Sequence, residues 1–137
     1  QKLTLKNQKL TANYRGEDFN LDADKNKIEQ VIINLINNSI KYSETGKEIR
    51  ICLLDSKENI MFSIEDEGIG ISSEHQKRVF ERFYRVDKAR SRESGGTGLG
   101  LAIVKHIILL HKGDISLKSE LGVGTKISIV LSKIYRG

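Results

Sequence analysis

The amino-acid sequence predicts an α/β fold, a two-layer sandwich in which about three helices cover one face of a mixed, mostly antiparallel sheet of about five strands. Two long segments carry apolar residues at helical spacing, and several apolar runs of strand length are joined by short polar turns. These helices and strands do not alternate strictly, as they would in a βαβ protein. With 137 residues, of which 38% are hydrophobic, the chain is predicted to form a single domain, residues 1–137.

The N-terminal part is predicted to contain the end of a helix and a hairpin. Residues 1–8 are interpreted as the remnant of a preceding helix, although two alternating leucines in them also suit a strand. Residues 9–14 and 18–22 are predicted as two short strands, each with apolar side chains. Gly16 supplies the turn between them.

A long helix follows, capped by Asp22 or Asp24 and running to about Tyr42. Its apolar face is formed by residues at helical spacing: Ile28, Val31, Ile32, Leu35 and Ile36. After a turn around Gly46, two apolar runs of strand length at 48–55 and 59–65 predict a second hairpin.

The second half begins with a polar segment, residues 66–97, which is predicted to form loops around short helices. Residues 99–112 are apolar almost all round, so this helix is expected to be buried on most sides. A typical helix C-terminus closes it, formed by His111, Lys112 and Gly113. Residues 114–118 and 126–131 complete a final hairpin, with Ile127, Ile129 and Leu131 on one face.

Charge and composition argue against several classes of protein. The net charge of +5 suits a polyanion, but the basic residues are scattered and aromatic residues are only 6%, so no nucleic-acid partner is expected. The apolar stretch at 107–110 is far shorter than the ~20 residues of a membrane span, so this domain is not expected to contact a membrane. Cys52, the single cysteine, lies in an apolar run and is predicted to be a buried, reduced thiol, which favours a cytoplasmic domain.

Four polar residues share one stripe of the first long helix: Gln30, Asn34, Asn38 and Lys41. Asparagine is a poor helix former, so the asparagines of this helix cost stability unless they are used. A polar edge exposed to solvent would give the same stripe. The functional interpretation is an amide oxygen presented to a metal ion and a lysine presented to phosphate.

The sequence DEGIG at 66–70 directly follows a predicted strand. By strand alternation, Asp66 shares the face of the buried residues of that strand, and a buried carboxylate needs a partner. The glycines let the backbone approach a flat ligand, and an adenine amino group is a suitable donor to the acid. A plain turn is the alternative interpretation.

The sequence GGTGLGL at 95–101 opens the buried helix. Glycines at a helix start expose several backbone N–H groups, and the helix dipole favours an anion there, so phosphate is the expected ligand. The segment is neither a P-loop nor a Rossmann fingerprint, because no Gly-Lys-Ser/Thr follows and no strand precedes it. A flexible linker would not explain why a strongly apolar helix follows at once.

In this order, with FERFYR at 80–85 between the second and third, these motifs resemble the catalytic domain of sensor histidine kinases in the gyrase, Hsp90, kinase and MutL ATPase superfamily. The resemblance covers about residues 9–132. NLINNSIKYS is similar to the N box, DEGIG to the first glycine box, FERFYR to the F box and GGTGLGL to the second glycine box. The sequence is most similar to the phosphate-sensing and cell-wall-sensing bacterial two-component kinases, and the resemblance implies a Bergerat-type fold.

The resemblance also implies roles for individual residues. Asn38 would coordinate Mg²⁺, Asp66 would accept a hydrogen bond from the adenine amino group, and Arg85 would approach the γ-phosphate. Thr125 would support adenine recognition through water. The other nucleotide-contacting residues that it implies are Lys41, Tyr42, Gly68, Gly70, Ile71, Thr97, Gly98, Leu99, Gly100 and Leu101. Residues 86–97 would form a mobile ATP lid, although its basic side chains also suit a solvated loop.

Asn34 occupies a second candidate catalytic position. Superfamily members that hydrolyse ATP place a glutamate base four residues before the metal-binding asparagine, and Asn34 cannot take a proton. Hydrolysis by water is therefore disfavoured. A histidine nucleophile needs less help, because a neutral imidazole already carries a free lone pair, and transfer then depends on positioning and on charge neutralisation by Mg²⁺ and Arg85.

The chain contains no proline, whereas the family's acceptor segment pairs a histidine with a proline. The three histidines are expected to be surface or cap residues: His75, His106 and His111. The chain is therefore expected to pass the γ-phosphate of ATP to a histidine on a separate dimerisation domain of the same parent, upstream of a response regulator. The parent is expected to be membrane-bound. The alternatives are a regulatory ATP-binding module without transfer activity and a superfamily ATPase.

Overall fold

A computed structural model describes residues 8–16, 23–43, 46–82 and 100–133. The strands are β1 (Lys9–Arg15), β2 (Glu48–Ser56), β3 (Asn59–Asp66), β4 (Asp114–Glu120) and β5 (Gly124–Ser132), and the helices are α1 (Lys25–Tyr42), α2 (Ser73–Gln76) and α3 (Gly100–Leu110). The sheet has the order β1-β2-β3-β5-β4. β1 and β2 are parallel, and the other neighbouring strands are antiparallel. The predicted α/β sandwich with a mixed, mostly antiparallel sheet is confirmed.

Helix α1 begins and ends where the sequence places its signals. The Asp24 side chain accepts a hydrogen bond from the Lys27 N–H at 3.2 Å, so Asp24 is the N-cap, and Asp22 lies outside the described residues. Ser43 leaves the helix with extended backbone. One stripe of the helix is buried: Val31, Leu35, Ile36, Ser39 and Ile40. Its apolar members pack against the sheet and α3.

Helix α3 buries one face, formed by Val104, Ile107 and Ile108. The expectation that it is buried on most sides is wrong at its end, because Leu109 is 54% and Leu110 is 53% exposed. The helix ends as predicted, with the Gly113 N–H donating to the Ile108 oxygen at 2.9 Å. A Cβ on Gly113 would lie 2.7 Å from the Leu131 side chain, so glycine allows this end to pack closely on β5.

The core lies between the helices and one face of the sheet. On β5, Ile127, Ile129 and Leu131 all point into it, as their alternation predicts. On β3, Ile60 and Ile64 are buried and pair with residues of β2 and β5. Strand alternation therefore carries the buried face along β3 to its last residue.

Cys52 is half-buried, so the prediction of a buried thiol is wrong. It lies between Ile51 and Leu53 on β2, on the sheet face opposite the one that these two residues share. There it borders a shallow depression with Leu54 and Met61. An apolar run such as 49–54 does not by itself reveal which face of the sheet is covered.

The predicted N-terminal hairpin is only partly within the described residues, since residues 17–22 lie outside them. β1 pairs in parallel with β2 over its whole length. Gln8 is not helical, and residues 1–7 also lie outside the described part of the chain. Within the described ranges, no helix combines the length and the apolar character needed to cross a membrane.

Candidate functional site

Asp66 is the buried acid at the end of β3. It is 6% exposed and continues the buried face of Ile64, as alternation predicts. The Gly68 N–H donates a hydrogen bond to its Oδ1 at 3.0 Å. Burial raises the pKa of Asp66 to about 6, although interactions with Gly68, Thr125 and Ser39 act in the opposite direction.

The Asp66 carboxylate keeps acceptor capacity for a ligand. An ionised carboxyl group has about four lone-pair directions on its two oxygens. The Gly68 N–H occupies one of these directions. A further donor can therefore bind, and with its pKa at about 6 the group is mostly ionised at neutral pH.

The glycine loop, residues 68–71 after β3, is joined to the end of α1. Ser43 and Gly68 form an isolated β-bridge, and the Ile69 N–H donates to the Tyr42 oxygen at 3.3 Å. A Cβ on Gly68 would collide with that same Tyr42 oxygen. Glycine at 68 therefore allows the loop carrying the acid and the helix carrying the polar stripe to touch.

The other side of the glycine loop is held by the β4–β5 hairpin. The Gly122 N–H donates to the Ile69 oxygen at 2.8 Å, and the Ile71 N–H donates to the Ser119 hydroxyl at 2.7 Å. Gly70 has a φ of +73°, and a Cβ there would collide with the main-chain oxygen of the last residue of β4. The sequence 68–71 is thus fixed from both sides.

Thr125 lies directly across from Asp66 in the β3–β5 ladder and is half-buried. Its hydroxyl is 2.7 Å from the Ser119 hydroxyl, which donates to the Gly124 oxygen at 2.9 Å. The structure therefore places Thr125 beside the acid. Its participation in adenine recognition through water stays a prediction.

The polar stripe lies on α1, whose C-terminal end contacts the glycine loop that follows this acid. Asn34, Asn38 and Lys41 are half-buried, whereas Gln30, nearer the helix start, is exposed. Asn38 immediately precedes Ser39, a residue whose interaction with Asp66 acts to lower the pKa of that carboxyl group. The Lys41 ammonium lies 5.6 Å from the centre of the half-buried Tyr42 ring, a cation–π distance.

The third motif is described only from the start of α3. Gly100 begins the helix and is exposed, and Leu101 is half-buried against the core that α3 shares with α1. Four candidate residues lie outside the described part of the chain: Arg85, Thr97, Gly98 and Leu99. The predicted lid, residues 86–97, also lies outside it. The structure thus brings the first two motifs together, and the roles of these four residues stay predictions.

Three residues of the site were missed by sequence reasoning: Ser39, Ser119 and Gln76. Ser39 had a signal, because it places a hydroxyl in the otherwise apolar buried stripe of α1. Gln76 donates to the Ile71 oxygen at 2.6 Å and to the Ser119 oxygen at 3.1 Å. No local pattern links Gln76 or Ser119 to the glycine loop, so only the folded chain reveals them.

The three histidines differ in exposure. His106 is exposed, His75 is half-buried, and His111 is buried at the end of α3. Among the residues that the structure describes, no group of three or more His, Cys, Asp or Glu side chains is placed to hold a metal ion. The role of the Asn38 amide as a metal ligand stays a prediction.

Known proteins are similar to this chain in sequence and in fold. Residues 23–134 match the family described as histidine kinase-, DNA gyrase B- and HSP90-like ATPases. The chain is 48% identical over 106 residues to the sensor-like histidine kinase SenX3 of Mycolicibacterium smegmatis, covering 77% of this chain and 28% of that protein. It is 45% identical over 121 residues to the sensor histidine kinase WalK of Bacillus subtilis, covering 87% of this chain and 20% of that protein.

The fold is shared with a solved kinase domain. The nucleotide-free catalytic domain of the histidine kinase ThkA matches with a TM-score of 0.79 and 28% identity, over 93% of this chain and 82% of that one. The chain spans less than a third of the length of the two sensor kinases, 28% and 20%. The family match covers α1, the acid and glycine loop, and both strands of the last hairpin. The chain belongs to the family of histidine kinase-, DNA gyrase B- and HSP90-like ATPases.

Proposed function

We propose that this chain binds ATP together with Mg²⁺ and transfers the γ-phosphate to a histidine on a separate dimerisation domain of the same parent protein. The observation that carries the proposal is the buried Asp66 carboxylate, followed by a glycine loop that contacts the end of α1, the helix that carries the polar stripe. The carboxylate suits the adenine base, and the polar stripe suits the phosphates of ATP. Family membership and the similarity to sensor histidine kinases support the same activity.

Asp66 is proposed to recognise adenine. Its carboxylate accepts hydrogen bonds and the adenine amino group donates them, so the pair is chemically matched. A hydrogen bond to a charged group contributes about 1.5 to 3 kcal/mol. The loop of Gly68, Gly70 and Ile71 is held by α1 and the last hairpin before a ligand arrives, which reduces the ordering cost of binding.

Asn38 and Lys41 are proposed to act at the phosphates. Mg²⁺ prefers charged oxygen and water, and a single neutral amide is a weak ligand, so the ion is expected to arrive with the nucleotide. Asn38 fits this role as one protein ligand, and Lys41 as a positive charge for phosphate oxygens. When bound, Mg²⁺ neutralises phosphate charge. Arg85 and the backbone of 98–100 are proposed to complete the phosphate contacts.

Transfer to histidine is preferred over hydrolysis because of Asn34. It lies one helical turn before Asn38 in α1 and is half-buried. An amide cannot accept a proton from an attacking water, whereas a neutral histidine side chain is already nucleophilic. Positioning and charge neutralisation then account for catalysis.

We further propose that the parent protein is a two-component sensor kinase, membrane-bound, with this domain in the cytoplasm and a response regulator downstream. The chain spans only 28% and 20% of the two sensor kinases reported above. The remainder of such a parent is proposed to supply the phosphoacceptor histidine and the sensor region.

The experiment is a transfer assay in which the chain, radiolabelled ATP and Mg²⁺ are mixed with a histidine-bearing dimerisation domain. We expect acid-labile label on the acceptor and loss of most of it in Asn38→Ala. Asn26→Ala changes an exposed asparagine of the same helix and serves as the matched control. Equal transfer by the two variants would remove Asn38 from the site. Steady ADP release without an acceptor would indicate an ATPase, and ATP binding without label on the acceptor would indicate a regulatory module.

A further inference from the structure

We propose that Ser119 is a positioning residue for base selection: its hydrogen bonds fix the Thr125 hydroxyl as an acceptor, so that the sheet end containing Asp66 selects a base that carries an amino group. The inference rests on the proposed role of Asp66 in binding adenine. It extends base recognition from the end of β3 across β5 to β4, the edge strand of the sheet.

Three polar side chains form a row across the end of the sheet. Thr125 pairs with Asp66 in the β3–β5 ladder and with Ser119 in the β4–β5 ladder. Residues directly opposite each other in antiparallel strands lie on the same face, with Cβ atoms about 4.5 to 5.5 Å apart. Because Asp66 lies on the buried face of β3, all three side chains lie on the face of the sheet that carries the core.

The Ser119 hydroxyl has a single proton, and its contacts show where that proton lies. Its Oγ is 2.9 Å from the main-chain oxygen of Gly124. A carbonyl oxygen cannot donate, so the Ser119 hydroxyl donates this bond. If its proton were directed elsewhere, two oxygens with only lone pairs between them would face each other at this distance. The proton of Ser119 is therefore committed to Gly124.

The Thr125 hydroxyl must then donate to Ser119. Their two side-chain oxygens are 2.7 Å apart, a normal O–H···O distance, and the proton between them belongs to Thr125 because that of Ser119 is used. The Ile71 N–H, at 2.7 Å, occupies the other lone pair of the Ser119 oxygen. A hydroxyl that has donated its proton can only accept further bonds, so Thr125 offers lone pairs to a ligand.

Asp66 and Thr125 thus present acceptors side by side. A carboxylate also only accepts, so the edge of a base that faces this pair must supply protons. Adenine carries an amino group at that edge, whereas hypoxanthine carries an oxo group, which would meet acceptors alone. A water that donates to both Thr125 and Asp66 would relay the same requirement, because its protons are used and its lone pairs face the ligand.

The main chain of Ser119 is held independently of its hydroxyl. The Gln76 side-chain amide donates to the main-chain oxygens of Ser119 at 3.1 Å and of Ile71 at 2.6 Å. Pairing with β5 holds the same residue of β4. Loss of the hydroxyl should therefore free the Thr125 proton without moving the strand, and a freed hydroxyl can rotate to donate to an oxo group.

The test compares ATP with inosine triphosphate, in which an oxo group replaces the amino group, in binding to the full chain with Mg²⁺. The wild-type chain should bind ATP about tenfold or more tightly than the analogue. Ser119→Ala should lower this preference by about threefold or more, because Thr125 can then donate to the oxo group. Ser116→Ala makes the same change at an exposed position on the opposite face of β4 and should leave the preference intact.

Two further variants separate the inference from the proposed function. Once Thr125→Val has removed the hydroxyl, Ser119→Ala should have no additional effect on base preference, and an additional effect would show that Ser119 does not act through Thr125. If Asp66→Asn leaves the preference unchanged, the proposed base site is wrong. If Asp66→Asn abolishes the preference but Ser119→Ala retains it fully, only the inference about Ser119 is wrong.

A purely structural role of Ser119 would give a different result. Equal loss of affinity for ATP and for inosine triphosphate in Ser119→Ala would mean that Ser119 only holds the glycine loop through Ile71, and the inference would be overturned. Ser119→Cys keeps nearly the same shape with much weaker hydrogen bonding, and it replaces Ser119→Ala if that variant does not fold. A wild-type base preference in Ser119→Cys would likewise overturn the inference.

Discussion

The Gly68 N–H and the Asp66 carboxylate are joined by a 3.0 Å hydrogen bond that closes a tight turn at the end of β3. Gly68 is not among the glycines with left-handed backbone, so its requirement is steric. A Cβ at 68 would collide with the Tyr42 oxygen and would lie 2.8 Å from the Asp66 Oδ1. An alanine Cβ at position 68 would therefore disturb both the contact with α1 and the position of the Asp66 carboxylate.

Replacing Gly68 with alanine should weaken both stability and ATP binding. We expect Gly68→Ala to lower the free energy of unfolding by about 1 to 3 kcal/mol, because overpacked main-chain contacts must shift. Urea unfolding and calorimetry with ATP measure the two effects. Gly100→Ala is the stability control, since a Cβ there meets nothing within 4 Å. Equal free energies of unfolding for the two variants would show that the space at Gly68 is not limiting.

Because the charge of Asp66 is buried, Asp66→Asn should gain stability relative to the wild type as the pH rises, whereas it should weaken the binding of ATP. The pKa of Asp66 is raised from 3.8 to about 6, so its contribution to stability is complete below pH 3.8 and is lost as the pH rises through 6. Relative to the wild type, Asp66→Asn should therefore gain about 2 kcal/mol in unfolding free energy between about pH 4.5 and 7.5. A difference that does not change with pH would contradict the raised pKa.

Over the same pH range, ATP binding should follow the ionised form of Asp66. Wild-type affinity is expected to fall as the pH drops through about 6. At neutral pH, Asp66→Asn should weaken binding by about 1.5 to 3 kcal/mol, because the amide lacks the acceptor charge. Calorimetry at several pH values tests both expectations, and an unchanged dissociation constant in the variant would place adenine elsewhere.

The features that were predicted correctly are encoded locally in the sequence. The burial of Asp66 follows from counting alternate residues from Ile60 and Ile64, and the limits of α1 follow from its cap and its apolar spacing. The order of the sequence motifs implied roles for individual residues, which hydrophobic periodicity cannot give. The main-chain bonds between α1 and the glycine loop are visible only in the fold.

The features that were missed depend on distant parts of the chain. Ser119 binds the Ile71 N–H across 48 positions, and Gln8 binds the end of α1 across 32 and 35 positions. No periodic pattern encodes such pairs. Cys52 was assigned to the core because its run is apolar, but a strand with apolar residues on both faces does not indicate which face is covered.

Gln8 closes the C-terminal end of α1. Its side-chain amide donates to the main-chain oxygens of Ile40 and Ser43, each at 3.2 Å, and the residue is 7% exposed. The last carbonyls of a helix lack partners within the helix, so these bonds satisfy buried acceptors. Lys41 and Tyr42 lie between the two carbonyls. Gln8 therefore holds the turn of α1 that carries part of the candidate site.

Replacing Gln8 should destabilise the fold, and for one of two substitutions the loss of stability should depend on pH. Gln8→Ala should cost about 1 to 3 kcal/mol in unfolding free energy, because it leaves buried carbonyls unsatisfied. Gln8→Glu should be at least as unstable at neutral pH, where a carboxylate faces the negative end of the helix dipole, and should recover when protonation restores a donor in acid. Urea unfolding at both pH values measures this. Wild-type stability of Gln8→Glu at neutral pH would contradict the arrangement.

His111 joins the end of α3 to the start of α1. Its Nε2 accepts a hydrogen bond from the Asp24 N–H at 3.2 Å, and its Nδ1 lies 2.9 Å from the Ile107 oxygen. Because a carbonyl oxygen can only accept, Nδ1 is the donor to Ile107. Asp24 and Asn38 are separated by about 20 Å along the helix axis. His111 is therefore a structural residue remote from the proposed phosphate contacts.

His111→Phe should lower stability without changing nucleotide affinity. The substitution keeps a ring in a site that is 8% exposed but removes both hydrogen bonds, at a cost of about 1 to 3 kcal/mol in unfolding free energy. His106→Phe, at an exposed position of the same helix, should leave stability nearly unchanged. Thermal unfolding and calorimetry with ATP measure the two properties. A large loss of ATP affinity in His111→Phe, with stability intact, would mean that His111 acts in the site after all.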